Sequence, residues 1–226
     1  MRQVAIFLLL FCSIIVHGQG MRDGTKPYLL SQMQYDGIYV TKSDADIQNE
    51  ANVYLFPKWE GQYEVFITEK EGFSFPNLNY NVKSNKLESK ISKDSVFQIE
   101  IEKVNFIRHN SKKYKLYSIN GINALFQEIY VSPKLIFVKG FTSVLKKGTI
   151  NPLTLEYIQQ DVYSIVEKYY AKVEGNYFVE LKLTKKSILN LFGTKANQVN
   201  KYASDSKLNF KSEADLFKIF LYYDKL

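Results

Sequence analysis

The sequence predicts a mainly β protein of antiparallel sheets with a small helical C-terminus. Three observations lead there. Between about residue 60 and residue 183 apolar side chains recur at every second position in short runs. Asn-Gly and other glycine-bearing pairs punctuate those runs. From Thr184 onward the apolar period lengthens to that of an amphipathic helix. Roughly nine or ten short strands in succession point to an antiparallel meander curled into a barrel or roll, or to two packed sheets.

The elements follow in order. MRQVAIFLLLFCSIIVHGQG places one basic residue, Arg2, before an apolar run from Val4 to Val16, with small residues after it. That order is the one found in secretory signal peptides, and the run is shorter than the about 20 residues of a membrane-spanning helix. Residues 1–20 are therefore expected to be removed on export. A β-rich domain is expected over 21–183, with a helical segment over 184–226 docked on it. Asp36-Gly37 reads as a turn before the short apolar Ile38-Tyr39-Val40, and Ser43 to Glu50 reads as a helical turn capped by Ser43.

GQYEVFITE sets Tyr63, Val65 and Ile67 on one face. LNYNV alternates Leu78, Tyr80 and Val82 with asparagines, KLESKI offers Leu87 and Ile91, and VFQIEIE sets Phe97, Ile99 and Ile101 against Gln98, Glu100 and Glu102. Each of these strands is expected to turn one side to a core and the other to water. YKLYSINGINALFQEIYV is a hairpin: Asn120-Gly121 supplies the two positive-φ residues of a type I′ turn. KLIFVKGF is a further strand, KKGTINPLT a loop, and a second hairpin turns at Glu174-Gly175. Thr184 is placed to cap KKSILNLF up to Gly193, and Thr194 to cap KANQVNKYA. Ser212 and Asp215 resemble a capping box before a stripe of Leu216, Phe217, Ile219, Phe220 and Tyr223. A helix this short is marginal alone in water, so it is expected to cover an open end or face of the sheet.

NVYLFPKWEGQYEVF, LNYNVKSNKLESKISKDSVFQIE and KKSILNLFGTKANQVNKYASDSKLNFKSEADLFKIFLYYDKL, together with the YY-bearing hairpin around Tyr169 and Tyr170, span most of the chain after residue 20. In these stretches and their order the chain resembles a family of exported Bacteroidetes proteins of unassigned function. The resemblance implies an envelope or secreted location and a β-rich body with a helical C-terminus. It implies no catalytic residues.

Composition narrows the function. Net charge is +7, yet of 30 basic residues only Arg2, Arg22 and Arg108 are arginine. The planar guanidinium fork is the usual reader of phosphates and bases, so its scarcity argues against nucleic acid as partner. Scattered lysines suit a solvated surface, or an acidic envelope polymer or another envelope protein as partner. Cys12 is the only cysteine and lies in the apolar run, and His109 is the only histidine beyond residue 20. Disulfides, thiol catalysis, histidine triads and two-histidine metal sites are thereby excluded from the exported chain. No cofactor is expected, and no serine sits in a G-x-S-x-G motif.

Three constellations remain. Glu100 and Glu102 form a carboxylate pair that, on a strand, shares a face about 7 Å apart, within glycosidase reach, although a solvated face accounts for it more simply. Asp44, Asp46, Asn49 and Glu50 offer oxygen ligands without the glycine or spacing of a calcium loop. Tyr54, Phe56, Trp59 and Tyr63 form an aromatic cluster suited to stacking on a sugar or an apolar ligand, or to core packing. The functional expectation is a non-catalytic binding or structural module of the cell envelope, periplasmic, outer-membrane associated or extracellular, and not an integral membrane protein. The alternative is a hydrolase acting on envelope polymers through Glu100 and Glu102.

Overall fold

The computed structural model describes residues 22–23, 37–43 and 52–226. The N-terminal apolar run and the carboxylate-rich Asp44 to Glu50 lie outside the described residues. The main body is a nine-stranded sheet in the order β1 (Arg22–Asp23), β4 (Gly72–Asn77), β3 (Glu60–Phe66), β8 (Phe106–His109), β9 (Lys112–Ile119), β10 (Ile122–Val131), β11 (Leu135–Lys146), β14 (Val162–Val173) and β15 (Val179–Leu181). All neighbours in it are antiparallel except β1 with β4. A second sheet has the order β2 (Ile38–Thr41), β7 (Ser95–Glu100), β6 (Lys86–Lys90) and β5 (Asn79–Asn81). A two-stranded ribbon, β12 (Thr149–Ile150) with β13 (Tyr157–Gln159), crowns the long β11–β14 hairpin. Among the described residues the large sheet stays open, since its edge strands β1 and β15 do not pair. Of the two expected architectures, packed sheets is the one that forms.

Local chemistry accounts for the turns. Asn120 and Gly121 take φ +53° and +78°, the left-handed pair that lets β9 and β10 meet with matching twist. Gly175 at φ +74° does the same service between β14 and β15. Three local expectations need correction. β11 and β14 run for 12 residues each, longer than the short strands the sequence suggests, because the KKGTINPLT loop belongs to the tip of a single hairpin. Ile91, expected in the core, is exposed because β6 ends at Lys90. The strand of Glu100 stops at that residue, and Ile101–Lys103 forms a 3₁₀ turn that takes Glu102 off the strand face.

One face of the large sheet packs against two different partners, while Phe126 and Val138, each next in its strand to a residue of that face, form a smaller buried cluster with Ile119 on the other. At one end Tyr63, Val65, Phe73, Phe75, Ile107, Tyr114 and Leu125 pack on Tyr80, Leu87, Phe97 and Ile99 of the small sheet. At the other end Tyr130, Leu135, Phe137 and Ala171 pack on the C-terminal helices α1 (Lys185–Leu189), α2 (Ala196–Asp205) and α3 (Glu213–Asp224). A bulge between Glu128 and Tyr130 shifts the register of β10, which pairs Tyr130 with Phe137 and brings it to the helical side.

Thr184 caps α1, its side chain accepting from the Ser187 amide. Thr194 does not cap α2: a 3₁₀ stretch, Asn190–Lys195, joins the two helices through Gly193 at φ +51°, so no free helix start is left for it. Ser212 caps α3 by accepting from the Asp215 amide, whereas the Asp215 carboxylate accepts from the Asn209 amide at 3.1 Å instead of closing the box. Leu216, Ile219 and Phe220 are fully buried, while Phe217 lies at the edge of the stripe with its ring against Tyr130 and is half exposed.

Between the two cores lies a polar seam. On β11, Phe137 belongs to the helical cluster and Phe141 packs on the first one, and Lys139 stands between them, buried. Its ammonium meets Glu213 of α3 at 2.8 Å and Glu167 at 3.4 Å, and the Tyr169 hydroxyl donates to Glu213 at 2.7 Å. Burial pushes the Glu213 carboxyl up, but hydrogen bonds from Lys139 and Tyr169 and the charges of Lys139 and Lys112 outweigh it and hold the group below its ordinary 4.5. A depressed folded pKa stabilises above the ordinary value and is lost as pH falls through the folded one. The melting temperature is therefore expected to drop as pH falls below the ordinary carboxyl value of 4.5, and Glu213→Gln to flatten that drop. An unchanged acid limb in the variant would show that the seam contributes nothing to helix docking.

Candidate functional site

The site grows from the stretch NVYLFPKW, Asn52 to Trp59, which lies along the free edge of β5. The Leu55 amide donates to the Tyr80 carbonyl at 3.0 Å, and the Val82 amide to the Val53 carbonyl at 2.9 Å. Where the backbone pairing ends, the Asn79 side chain replaces it, accepting from the Phe56 amide at 2.9 Å and donating to the Phe56 carbonyl at 2.8 Å. Val53 is buried, and Leu55 and Phe56 pack on the core, while Tyr54 turns to the opposite face of the small sheet and meets Trp59 with ring centroids 4.7 Å apart.

Beneath Tyr54 is a buried carboxylate. Glu88 is fully enclosed and accepts four hydrogen bonds: from the Lys42 ammonium at 2.6 Å, the Tyr54 hydroxyl at 2.7 Å, Gln98 at 2.9 Å and Asn81 at 3.4 Å. Lys42 also donates to the Tyr54 oxygen at 2.6 Å, which closes a triangle of three polar groups. A buried carboxylate survives only with its charge and lone pairs answered, and this one is answered on both oxygens. The result is a rigid floor that fixes the Tyr54 ring.

The Tyr54–Trp59 ridge separates two clefts. The larger, about 630 Å³, runs between the ridge and the start of β14, with Val162 to Ile165 as its far wall. Ser164 lines it, and its hydroxyl has no hydrogen-bond partner among the described residues. The smaller, about 270 Å³, is bounded by Lys42, Lys90, Lys93, Asp94 and Val96. The Lys90 ammonium lies 5.8 Å from the Trp59 ring, and a hydrogen bond from Ser92 keeps the Asp94 carboxyl below its ordinary value. A half-exposed indole and phenol, edged by ammonium and amide groups, can stack on a planar or sugar ring and hold its polar or acidic substituents.

The structure thus brings together two of the four aromatic residues singled out from sequence. Tyr54 and Trp59 form the ridge, and Phe56 closes the floor of the larger cleft while belonging to the core. Tyr63 is wholly buried, stacked on His109 at 4.0 Å, its hydroxyl donating to the Lys58 carbonyl; burial, helped by Glu60, pushes its pKa up to about 12. His109 ends β8, its Nδ1 bonded to the Gln62 carbonyl at 2.9 Å. Glu100 is paired with Lys86, and Glu102 stands exposed on the 3₁₀ turn. Among the described residues no group of His, Cys, Asp or Glu is arranged to hold a metal.

Sequence reasoning missed Glu88, Lys42, Asn79, Asn81 and Gln98. The alternation in LNYNV, KLESKI and VFQIEIE assigned Asn79, Asn81, Glu88 and Gln98 to water, and no pattern singled out Lys42. Their signal is the pair of asparagines flanking Tyr80 on a strand with a glutamate two strand positions into the next: amides and a carboxylate on one face can answer each other.

No family model matches the chain, and no curated protein or solved structure matches it either.

Proposed function

We propose that this protein is an exported, non-catalytic binding module of the cell envelope that holds an acidic polysaccharide across the Tyr54–Trp59 ridge. The observation that supports this reading most is the ridge itself, two partly exposed aromatic rings fixed from below by Glu88 and flanked by clefts on both sides. A polymer can continue from one cleft into the other, whereas a small closed ligand would need only one. Lys90 and Lys93 beside the smaller cleft favour acidic sugars over neutral ones. The hydrolase alternative draws less support, because Glu100 and Glu102 stand on different elements and Glu100 is engaged by Lys86.

Titration with oligogalacturonate as the acidic probe and a cello-oligosaccharide as the neutral one tests it. Binding of the acidic probe is expected to weaken with salt, and Trp59→Ala to weaken it by about thirtyfold. The same variant is expected to lower the melting temperature by no more than about 4 °C, since the indole is partly exposed and stands outside the buried core clusters. Equal affinity of Trp59→Ala and the parent chain, or no binding of the acidic probe, would overturn the reading.

A further inference from the structure

The tip of the β11–β14 hairpin displays apolar side chains that no described residue covers. Leu153 is 91% exposed, Leu155 78%, Ile158 69% and Tyr157 52%, with Ile150 exposed beside them. The tip is built to hold this display. The Asn151 side chain accepts from the Leu153 and Thr154 amides at 2.9 and 3.4 Å, the Leu155 amide donates to the Asn151 carbonyl, and the Asn151 amide donates to the Glu156 carbonyl. Leu155 is held at φ +59°, a region that a branched apolar residue rarely enters.

Tyr157 and Ile158 are consecutive in β13 and therefore point to opposite faces of the ribbon. The tip is thus apolar on both faces and at its crown. A flat protein surface covers one face of a ribbon. Five side chains also fall well short of the about 20 to 30 residues that each side of a stable protein interface contributes. A medium that surrounds the tip covers all of it. Charge is arranged accordingly: the Lys147–Asp161 ion pair, 2.8 Å long and reinforced by the Gly148 amide, neutralises the base of the ribbon, and from Gly148 to Gln160 the single ionisable acid or base is Glu156.

We propose that this tip is a lipid-insertion element, seating Leu153, Leu155, Tyr157 and Ile158 in the interfacial layer of a phospholipid bilayer with Lys147 and Asp161 at the waterline. Leucine and isoleucine with a tyrosine at the boundary are the side chains that such a layer accepts. Glu156 opposes insertion and limits its depth.

Co-sedimentation of the full chain with phosphatidylethanolamine–phosphatidylglycerol vesicles tests the assignment. The readout is the difference between the chain and its variants, so the apolar run from Val4 to Val16 counts equally in both. Leu153→Ser with Leu155→Asn, the second chosen because asparagine tolerates positive φ, is expected to weaken partition at least about tenfold with an unchanged melting temperature. Glu156→Gln is expected to strengthen it. Partition that is the same in the double variant, or weakened by Glu156→Gln, overturns the proposal. So does a dimer in gel filtration that the double variant dissociates, because the tip would then be covered by a second copy.

Discussion

Glu88→Ala is expected to destabilise the fold by about 3 to 5 kcal/mol and to remove binding at the ridge together with it. The carboxylate has no exposure and Lys42 has only 9%, so the substitution strips a desolvated ammonium of the carboxylate 2.6 Å away and takes an acceptor from Tyr54, Gln98 and Asn81. Glu88→Gln keeps the shape and half the acceptors, and is expected to fall between the two. The informative control is Glu88→Leu with Lys42→Met. Replacing both members of a buried pair by apolar groups often restores stability, but it also removes the group that fixes the Tyr54 ring. The double variant is therefore expected to melt near the parent while binding the acidic probe weakly. Denaturant unfolding followed by titration of the same samples reads both quantities. A loss below about 1 kcal/mol for Glu88→Ala would show the network to be a solvated surface cluster.

Phe220→Ala is the second large effect, about 3 to 5 kcal/mol with a fall in melting temperature on the order of 10 °C. Its ring has no exposure and meets Phe137 at 5.0 Å, Tyr130 at 5.6 Å and Phe192 at 6.1 Å, so truncation opens a cavity walled by the sheet on one side and by the helices on the other. α3 is also tied at its end. The Asp224 carboxylate accepts from Tyr130 and Ser132, and Lys134 donates to the Asp224 carbonyl at 2.9 Å. Removal of residues 212–226 is expected to exceed the single substitution, because it exposes Leu135, Phe137 and Ala171 as well. Thermal melting of the two variants decides it. A truncated chain that melts with the parent would mean that the sheet is stable without its helical cover.

The proposed insertion tip and the far wall of the larger cleft share one strand. β14 leaves the ribbon at Val162 and lines the larger cleft from Val162 to Ile165, only four residues from Ile158. At strand rise that is about 13 Å. A tip seated in a bilayer holds the cleft just above it, where an envelope polymer anchored in the same surface would lie.

Much of this was legible beforehand. Period-two runs named Tyr63, Val65, Tyr80, Leu87, Phe97 and Ile99 as core, and Asn120-Gly121 named its hairpin, because both follow from properties that a residue carries alone: apolarity at alternate positions and tolerance of positive φ. The long β11–β14 hairpin was not legible, since a turn-forming stretch with Gly, Asn and Pro looks the same whether it ends two short strands or two long ones. The ridge was legible only in part. Tyr54, Phe56 and Trp59, close in sequence, looked alike, and their sorting into Tyr54 and Trp59 outside and Phe56 inside depends on the edge of β5 against which Asn52 to Trp59 happens to run.

The sequence by itself determined the strand-rich body, the type I′ turn and the amphipathic α3, since periodicity and turn chemistry act over a few residues. Tertiary structure alone decided that the sheet stays open and that one of its faces is divided between a second sheet and the helices. It also decided that Glu88, on a strand face that alternation assigns to water, is enclosed. The physical reason is that a carboxylate's burial is set by what arrives above it, and Lys42 and Tyr54 arrive from 46 and 34 residues away along the chain.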